Sequence, residues 1–168
     1  MQLFIDSLLR GWDRNLDYAK KLVADLSDEQ MVAMPRAADV DAVGCNHPAW
    51  IFSHLNVFHP VIVAMVTGTT FDDPKHAPFG MLTRPEPDVS IYPSKSELIG
   101  RFEQGHKDVT EALRAADESA LNRDMPLERW QAPFPKVGSM LGYIMLVHES
   151  THMGQISAWR RAQGLPSV

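Results

Sequence analysis

The sequence predicts an all-α protein, a four-helix bundle with long crossover loops, because four long stretches repeat apolar residues at threes and fours. Two proline-rich connections separate the later stretches, so the helices they join need not run as simple hairpins. No internal repeat of roughly 20–50 residues marks a solenoid. A chain of 168 residues is also a single-domain length, able to bury about 70% of the surface its unfolded form exposes.

Taken in order, Ile5, Leu8, Leu9, Trp12, Leu16, Ala19, Val23 and Leu26 form the stripe of a first helix over residues 3–26. Ser27-Asp28-Glu29-Gln30 is a capping sequence for a short turn that Pro35 stops. Residues 36–45 have no helical period and read as a connection. The second helix begins at Pro48, which suits a first turn because its missing N–H would be unpaired there anyway. It ends near Val66, with Gly68 as a C-terminal cap. Trp50, Ile51, His54, Phe58, Val61, Ile62 and Met65 share one face, Ser53, Asn56 and Pro60 the other, and Pro60 is expected to bend the helix. Residues 69–93 form a crossover with five prolines, a possible lid that Phe71, Phe79, Met81 and Leu82 should pack down. Ser94 and Glu97 box the start of a third helix with the stripe Leu98, Phe102, His106, Val109, Leu113 and Ala116. After an irregular stretch to residue 136, a fourth helix runs from Val137 or Ser139 to Gly164, with Pro166 beyond. Its inner face collects Leu141, Met145, His148, His152, Gln155, Ile156 and Trp159. Tyr143, Leu146, Val147 and Met153 lie opposite, so loops or a second subunit should cover that side.

Composition narrows the function. A formal net charge of −5 without a Lys/Arg-rich run argues against nucleic acid. Cys45 is the only cysteine, which excludes an intrachain disulfide and a thiolate zinc site and leaves it a small, apolar packing residue. The opening MQLFIDSLLRGW does not read as a signal peptide, since Asp6 breaks the apolar run and no basic segment precedes it. No stretch of about 18 apolar residues suggests a membrane span, so a cytoplasmic protein is expected.

The histidines carry the chemistry. His148 and His152 lie one helical turn apart, close enough to share a metal ion. Chance supplies roughly 0.3 such pairs in a chain with this many histidines, so a third ligand is required. His54, central on the stripe of helix 2, is the candidate, which makes His54, His148 and His152 the expected metal ligands. The same stretch spells H-E-x-x-H, the signature of zinc proteases. No His, Asp or Glu follows His152, however, so the usual downstream ligand is missing. Glu149, about 100° round from His148, is expected to bond a neighbouring helix or loop or to carry protons beside the metal, a weak catalytic candidate. His106 is the candidate fourth ligand or outer partner. His47 at the helix mouth is open to capping or substrate contact, and Gln155 to the site or to a structural bond. His59 and His76 read as flank and loop residues, Arg160 and Arg161 as surface or interhelix anchors.

The phrases NHPAWIFSHL, YPSKSEL and HESTHMGQISAWRRAQGLP, with LVADLSDEQMVAMP earlier, resemble the DinB/YfiT-like superfamily across essentially the whole chain. The most specific element is H-x-x-x-H-x-G-Q-I joined to W-x-x-x-H-L on helix 2. The resemblance implies a four-helix bundle with long crossovers, often a homodimer, and a divalent metal, commonly zinc or nickel, on His54, His148 and His152. Some members are thiol-dependent transferases or isomerases that use bacillithiol, mycothiol or glutathione as cosubstrate. Three imidazoles leave coordination positions open, as catalytic sites do. The expectation is therefore a metal-dependent enzyme acting on a small molecule, by thiol transfer or by hydrolysis. A non-catalytic metal or ligand binder and a dimeric interaction module are the alternatives.

Overall fold

A computed structural model describes residues 2–35 and 45–168. Most of the connection expected over 36–45 therefore lies outside the described residues. Among the described residues the chain is helical, without a β-strand. Helix α1 spans Gln2–Val23 and buries Ile5, Leu8, Leu9, Trp12, Ala19, Leu22 and Val23. It stops three residues earlier than its stripe suggests, and Leu26 is buried in the turn that follows. Helix α2, Asp28–Met31, is held by a capping box in which Ser27 accepts from the Gln30 amide and Gln30 reaches back.

Helix α3, Pro48–Thr67, starts on Pro48 and ends where Gly68 takes φ 81°, a left-handed cap that suits glycine. It buries 15 of its 20 residues and leaves only a narrow solvated flank at Asn56, Pro60, Val63 and Thr67. It is also long and apolar enough to cross a membrane, which corrects the expectation that no such stretch exists; 78% of its most apolar window lies against the rest of the protein. Helix α4, Lys95–Ala115, opens with the Ser94–Glu97 capping box and packs along α3. Two short helices, α5 (Glu118–Asn122) and α6 (Glu128–Gln131), occupy the stretch expected to be irregular.

The last long helix is continuous but not uniform. Helix α7, Val137–Leu141, passes into a π-helical stretch, Gly142–His148, and then into α8, Glu149–Ala162. A π segment widens the turn, and such segments recur at functional sites. Of the side expected to need a cover, Met153 is buried and Leu146 half-buried, whereas Tyr143 and Val147 remain exposed. In the crossover Phe71 and Phe79 are half-buried, but Met81 and Leu82 stay exposed, contrary to expectation. Their neighbours are held at the start of α3: Trp50 Nε1 donates to Thr83 Oγ1 at 3.2 Å, and His47 Nε2 to the Glu86 carbonyl at 2.9 Å.

The long helices enclose two apolar clusters, one above the other. One gathers Ile5 to Trp12, Phe58 to Val66, Val109, Leu113 and Val137 to Met145. The second gathers Ala19 to Leu26, Ala49 to Leu55, Leu98, Phe102 and Met153 to Trp159. On α3, α4 and the last helix the boundary falls where the histidines stand: His54 and His59 on α3, His106 on α4, and His148, Glu149 and His152 on the last helix. A polar layer thus crosses the waist of the helical assembly. At one end, buried Arg160 joins α8 to α1 by donating to the Leu22 carbonyl and, with two bonds of 2.6 and 2.9 Å, to Asp25. Arg160 is an interhelix anchor, whereas Arg161 is exposed.

Candidate metal centre

The polar layer divides into two sets of donors because His148 and Glu149 are consecutive. Side chains one residue apart on a helix diverge by about 100°, so these two look into different spaces between helices. His148, with His152 one turn on, faces His54 of α3. Glu149 faces α4.

In the first set, the Nε2 atom of His148 lies 3.3 Å from Nε2 of His54 and 3.2 Å from Nε2 of His152. Protons decide what these contacts are. His54 Nδ1 lies 2.8 Å from the Phe79 carbonyl, which can only accept, so the proton of a neutral ring is on Nδ1 and Nε2 carries a lone pair. His152 Nδ1 likewise donates to Gln155 Oε1 at 2.9 Å, and the Asn46 amide donates to the same oxygen at 3.1 Å. A neutral His148 has one proton, and its Nδ1 is buried without a partner among the described residues. At least one of the two N···N contacts therefore sets lone pair against lone pair, an arrangement that a shared cation would resolve. Tetrahedral bonds of about 2.0–2.1 Å would place such nitrogens about 3.3–3.4 Å apart, close to the observed spacing. The three residues thus fit a divalent metal.

Electrostatics favour the same state. Burial pushes His148 down to about 3, with His152 and His54 adding to the shift, and His152 down to about 4; burial also lowers His54. All three are neutral imidazoles at ordinary pH, the form that ligates. Trp50 stacks on His54 with ring centroids 4.8 Å apart, and Phe58 stands 4.9 and 5.2 Å from His54 and His148. His54 and His148 also form part of the wall of a cavity of about 190 Å³, together with Phe58, Met81, Arg129, Trp130 and Tyr143. Arg129 is aimed by Asp73, at 2.8–3.1 Å, and lies 4.3 Å over Trp130.

The second set joins His59, His106 and Glu149, all buried. His106 Nε2 lies 3.1 Å and His59 Nε2 3.9 Å from Glu149 Oε2. Burial lowers His59 to about 3; burial, then His59, lowers His106 to about 2. Burial raises Glu149 well above the usual carboxylate range, with Asn15 opposing. Two expectations are corrected here. His106 is not placed as a fourth ligand of the three-histidine set, because it faces Glu149. His59 is not a flank residue: it stands five positions after His54, turned towards α4, where Gly105 leaves room for its ring. Glu149 bonds a neighbouring helix, as its position suggested, and it does not line the cavity beside His54 and His148.

Of the remaining candidates, His47 is a cap, accepting from the Trp50 amide at 3.2 Å, and is fully buried. His76 is exposed in a 3₁₀ turn. Cys45 is half-buried. Sequence reasoning missed the Phe79 carbonyl and the Asn46 amide. A backbone acceptor leaves no trace in residue type, and Phe79 reaches its place through a left-handed φ of 62° that no glycine announces.

The DinB superfamily pattern matches residues 12–156, from Trp12 to Ile156 and so across both donor sets. The chain belongs to the DinB superfamily. No curated protein matches the chain. Membership agrees with the all-helical fold and with buried His/Glu clusters suited to a divalent metal, and it assigns this DinB-superfamily chain no reaction.

Gln155→Leu removes the acceptor that fixes the His152 tautomer. Losing such an outer partner typically weakens metal affinity about 10–100-fold. Competition of a chromophoric chelator with wild type and variant for zinc measures this; equal affinities would make Gln155 a structural bond only.

Proposed function

We propose that this DinB-superfamily protein is a metal-dependent enzyme that transfers a low-molecular-weight thiol to a small electrophile, with His54, His148 and His152 holding zinc or nickel. The observation that carries this reading is the apolar, aromatic cavity opening onto His54 and His148. A structural metal site would be closed, whereas a catalytic one keeps a position free for an exchanging ligand. A divalent metal held there would keep a bound thiol as its thiolate or lower the pKa of bound water.

The chain's own residues favour the thiol over hydrolysis. Among the described residues no Asp or Glu lines the cavity to serve as a base for water; Glu149, the nearest in sequence, bonds His106. Phe58, Met81 and Trp130 give the cavity an apolar, polarizable wall that suits a sulfur nucleophile and an apolar electrophile. Arg129, fixed by Asp73, supplies positive charge at the cavity wall for an anionic group or for charge developing on the electrophile. At about 190 Å³ the space suits a small substrate or the reactive end of a thiol rather than a whole drug-sized ligand. A homodimer, as the family resemblance implies, fits the exposed Tyr143 and Val147 of the π segment, and light scattering would test it.

Glutathione, bacillithiol and mycothiol, each tested with the zinc- or nickel-loaded protein and aromatic halide or epoxide electrophiles, examine the proposal. Turnover that needs both metal and thiol is expected, with a thiolate charge-transfer band when cobalt replaces the native ion. Exchange of neither thiol nor water at the bound metal would overturn the enzyme, and turnover of esters or amides without thiol would replace transfer by hydrolysis.

A further inference from the structure

We propose that His59, His106 and Glu149 form a second divalent-metal site, built from two imidazoles and one carboxylate and separate from the three-histidine set. The donors come from three different helices, α3, α4 and α8, and their ligand atoms all lie within 4.8 Å of one another. Both Nε2 atoms point at the same oxygen, at 3.1 and 3.9 Å. Ligands bound at about 2.0–2.2 Å sit roughly 3.0–3.5 Å apart; the His106–Glu149 pair already has that spacing, and the His59 ring would have to draw in towards the carboxylate.

Hydrogen bonding alone does not account for this set. One proton shared between Glu149 and His106 leaves four buried atoms without partners among the described residues: both nitrogens of His59, Nδ1 of His106 and Oε1 of Glu149. Buried polar groups are nearly always paired, and an unpaired one marks an ion, a water or a functional role. His59 is the decisive residue, since among the described residues it has no hydrogen-bond partner yet its Nε2 approaches the carboxylate from a buried position. A cation between the three would take up the two Nε2 lone pairs and the carboxylate charge together.

The surroundings hold these rings in place. A Cβ on Gly105 would stand 2.0 Å from His59 Nδ1, so the bare glycine is what admits the imidazole. Trp12 stacks on His106 with centroids 3.7 Å apart and meets His59 edge-on at 5.6 Å. Access is separate from that of the three-histidine set. A cavity of about 730 Å³ reaches His59 and Gly105 and touches neither His54 nor His148. Mixed nitrogen and oxygen donors suit a first-row ion such as Fe(II), Mn(II), Co(II) or Zn(II). Mg(II) and Ca(II) prefer oxygen alone.

Titration of the metal-free, untagged protein with Co(II), followed by absorbance and by equilibrium dialysis, tests the site. Wild type is expected to bind two equivalents with different spectra, a strong tetrahedral band from three histidines and a weaker one from higher coordination. Glu149→Gln and His59→Leu should each lose the weak band and one equivalent, and His148→Ala should lose the strong band instead. Wild type that saturates at one equivalent, unchanged in Glu149→Gln, overturns the proposal, as does a second equivalent that survives both Glu149→Gln and His59→Leu. A single equivalent lost in Glu149→Gln but kept in His148→Ala supports this site and removes the three-histidine one. The wild-type stoichiometry needs no variant to fold, and circular dichroism checks the helicity of each variant.

Discussion

His148→Ala is expected to abolish metal binding at the three-histidine set and, with it, all metal-dependent turnover. His148 is the hub of the set, because its Nε2 is the atom that both other imidazoles approach, at 3.2 and 3.3 Å. Its removal leaves His54 and His152 as two ligands with tautomers still fixed by Phe79 and Gln155. Two imidazoles cannot make a tetrahedral protein site, so affinity should fall by more than the ~10–100-fold that losing an outer partner costs. The fold should survive. His148 is only half-buried and lies against a cavity, so truncation should cost about 1 kcal/mol, or about 2–4 °C in Tm for a chain of this size. Metal analysis beside a melting curve separates the two effects. His54→Ala should behave in the same way, and full metal affinity in both variants would rule out the shared site.

The largest loss of stability is expected from Arg160→Ala, far from either donor set. Arg160 is 1% exposed and donates to the Leu22 and Pro166 carbonyls as well as to both oxygens of Asp25. Its truncation strands a buried carbonyl at the end of α1 and frees the turn after α8. Breaking a buried charged pair by removing one partner costs about 3–5 kcal/mol. The Asp25 side chain is 48% exposed and would rehydrate, so the lower end, about 3 kcal/mol, is expected here. That corresponds to a fall in Tm of about 6–12 °C. Asp25→Asn should cost less, about 1 kcal/mol, because the guanidinium keeps its two carbonyls. A smaller loss for Arg160→Ala than for Asp25→Asn would contradict this assignment of roles.

Helix identity was legible wherever local chemistry decides it. The capping boxes at Ser27 and Ser94, Pro48 at a first turn and Gly68 at a left-handed cap act within a few residues, so their sequence signals are complete. The inward course of His54, His148 and His152 was legible for the same reason, since each stands on an apolar stripe of regular period. The π stretch before His148 was not, because Gly142–His148 carries no local mark separating it from an α-helix. Nor were the exposures of Met81 and Leu82, which depend on where the crossover is held rather than on their apolar character.

By itself the sequence determined an all-helical chain of the DinB superfamily with three histidines on inward faces, because period, caps and motif spacing are properties of neighbouring residues. Only the tertiary structure decided which spaces those faces look into. It separated Glu149 from His148 by their divergence on one helix. It turned His59 from a flank residue into a buried one, because α4 packs along α3 and its Gly105 opens a gap for the ring. It also brought the Phe79 carbonyl to His54 across 25 residues of chain. Contacts between separate helices and between backbone and side chain have no period to read, and they are what set two donor groups, rather than one, into the waist of this protein.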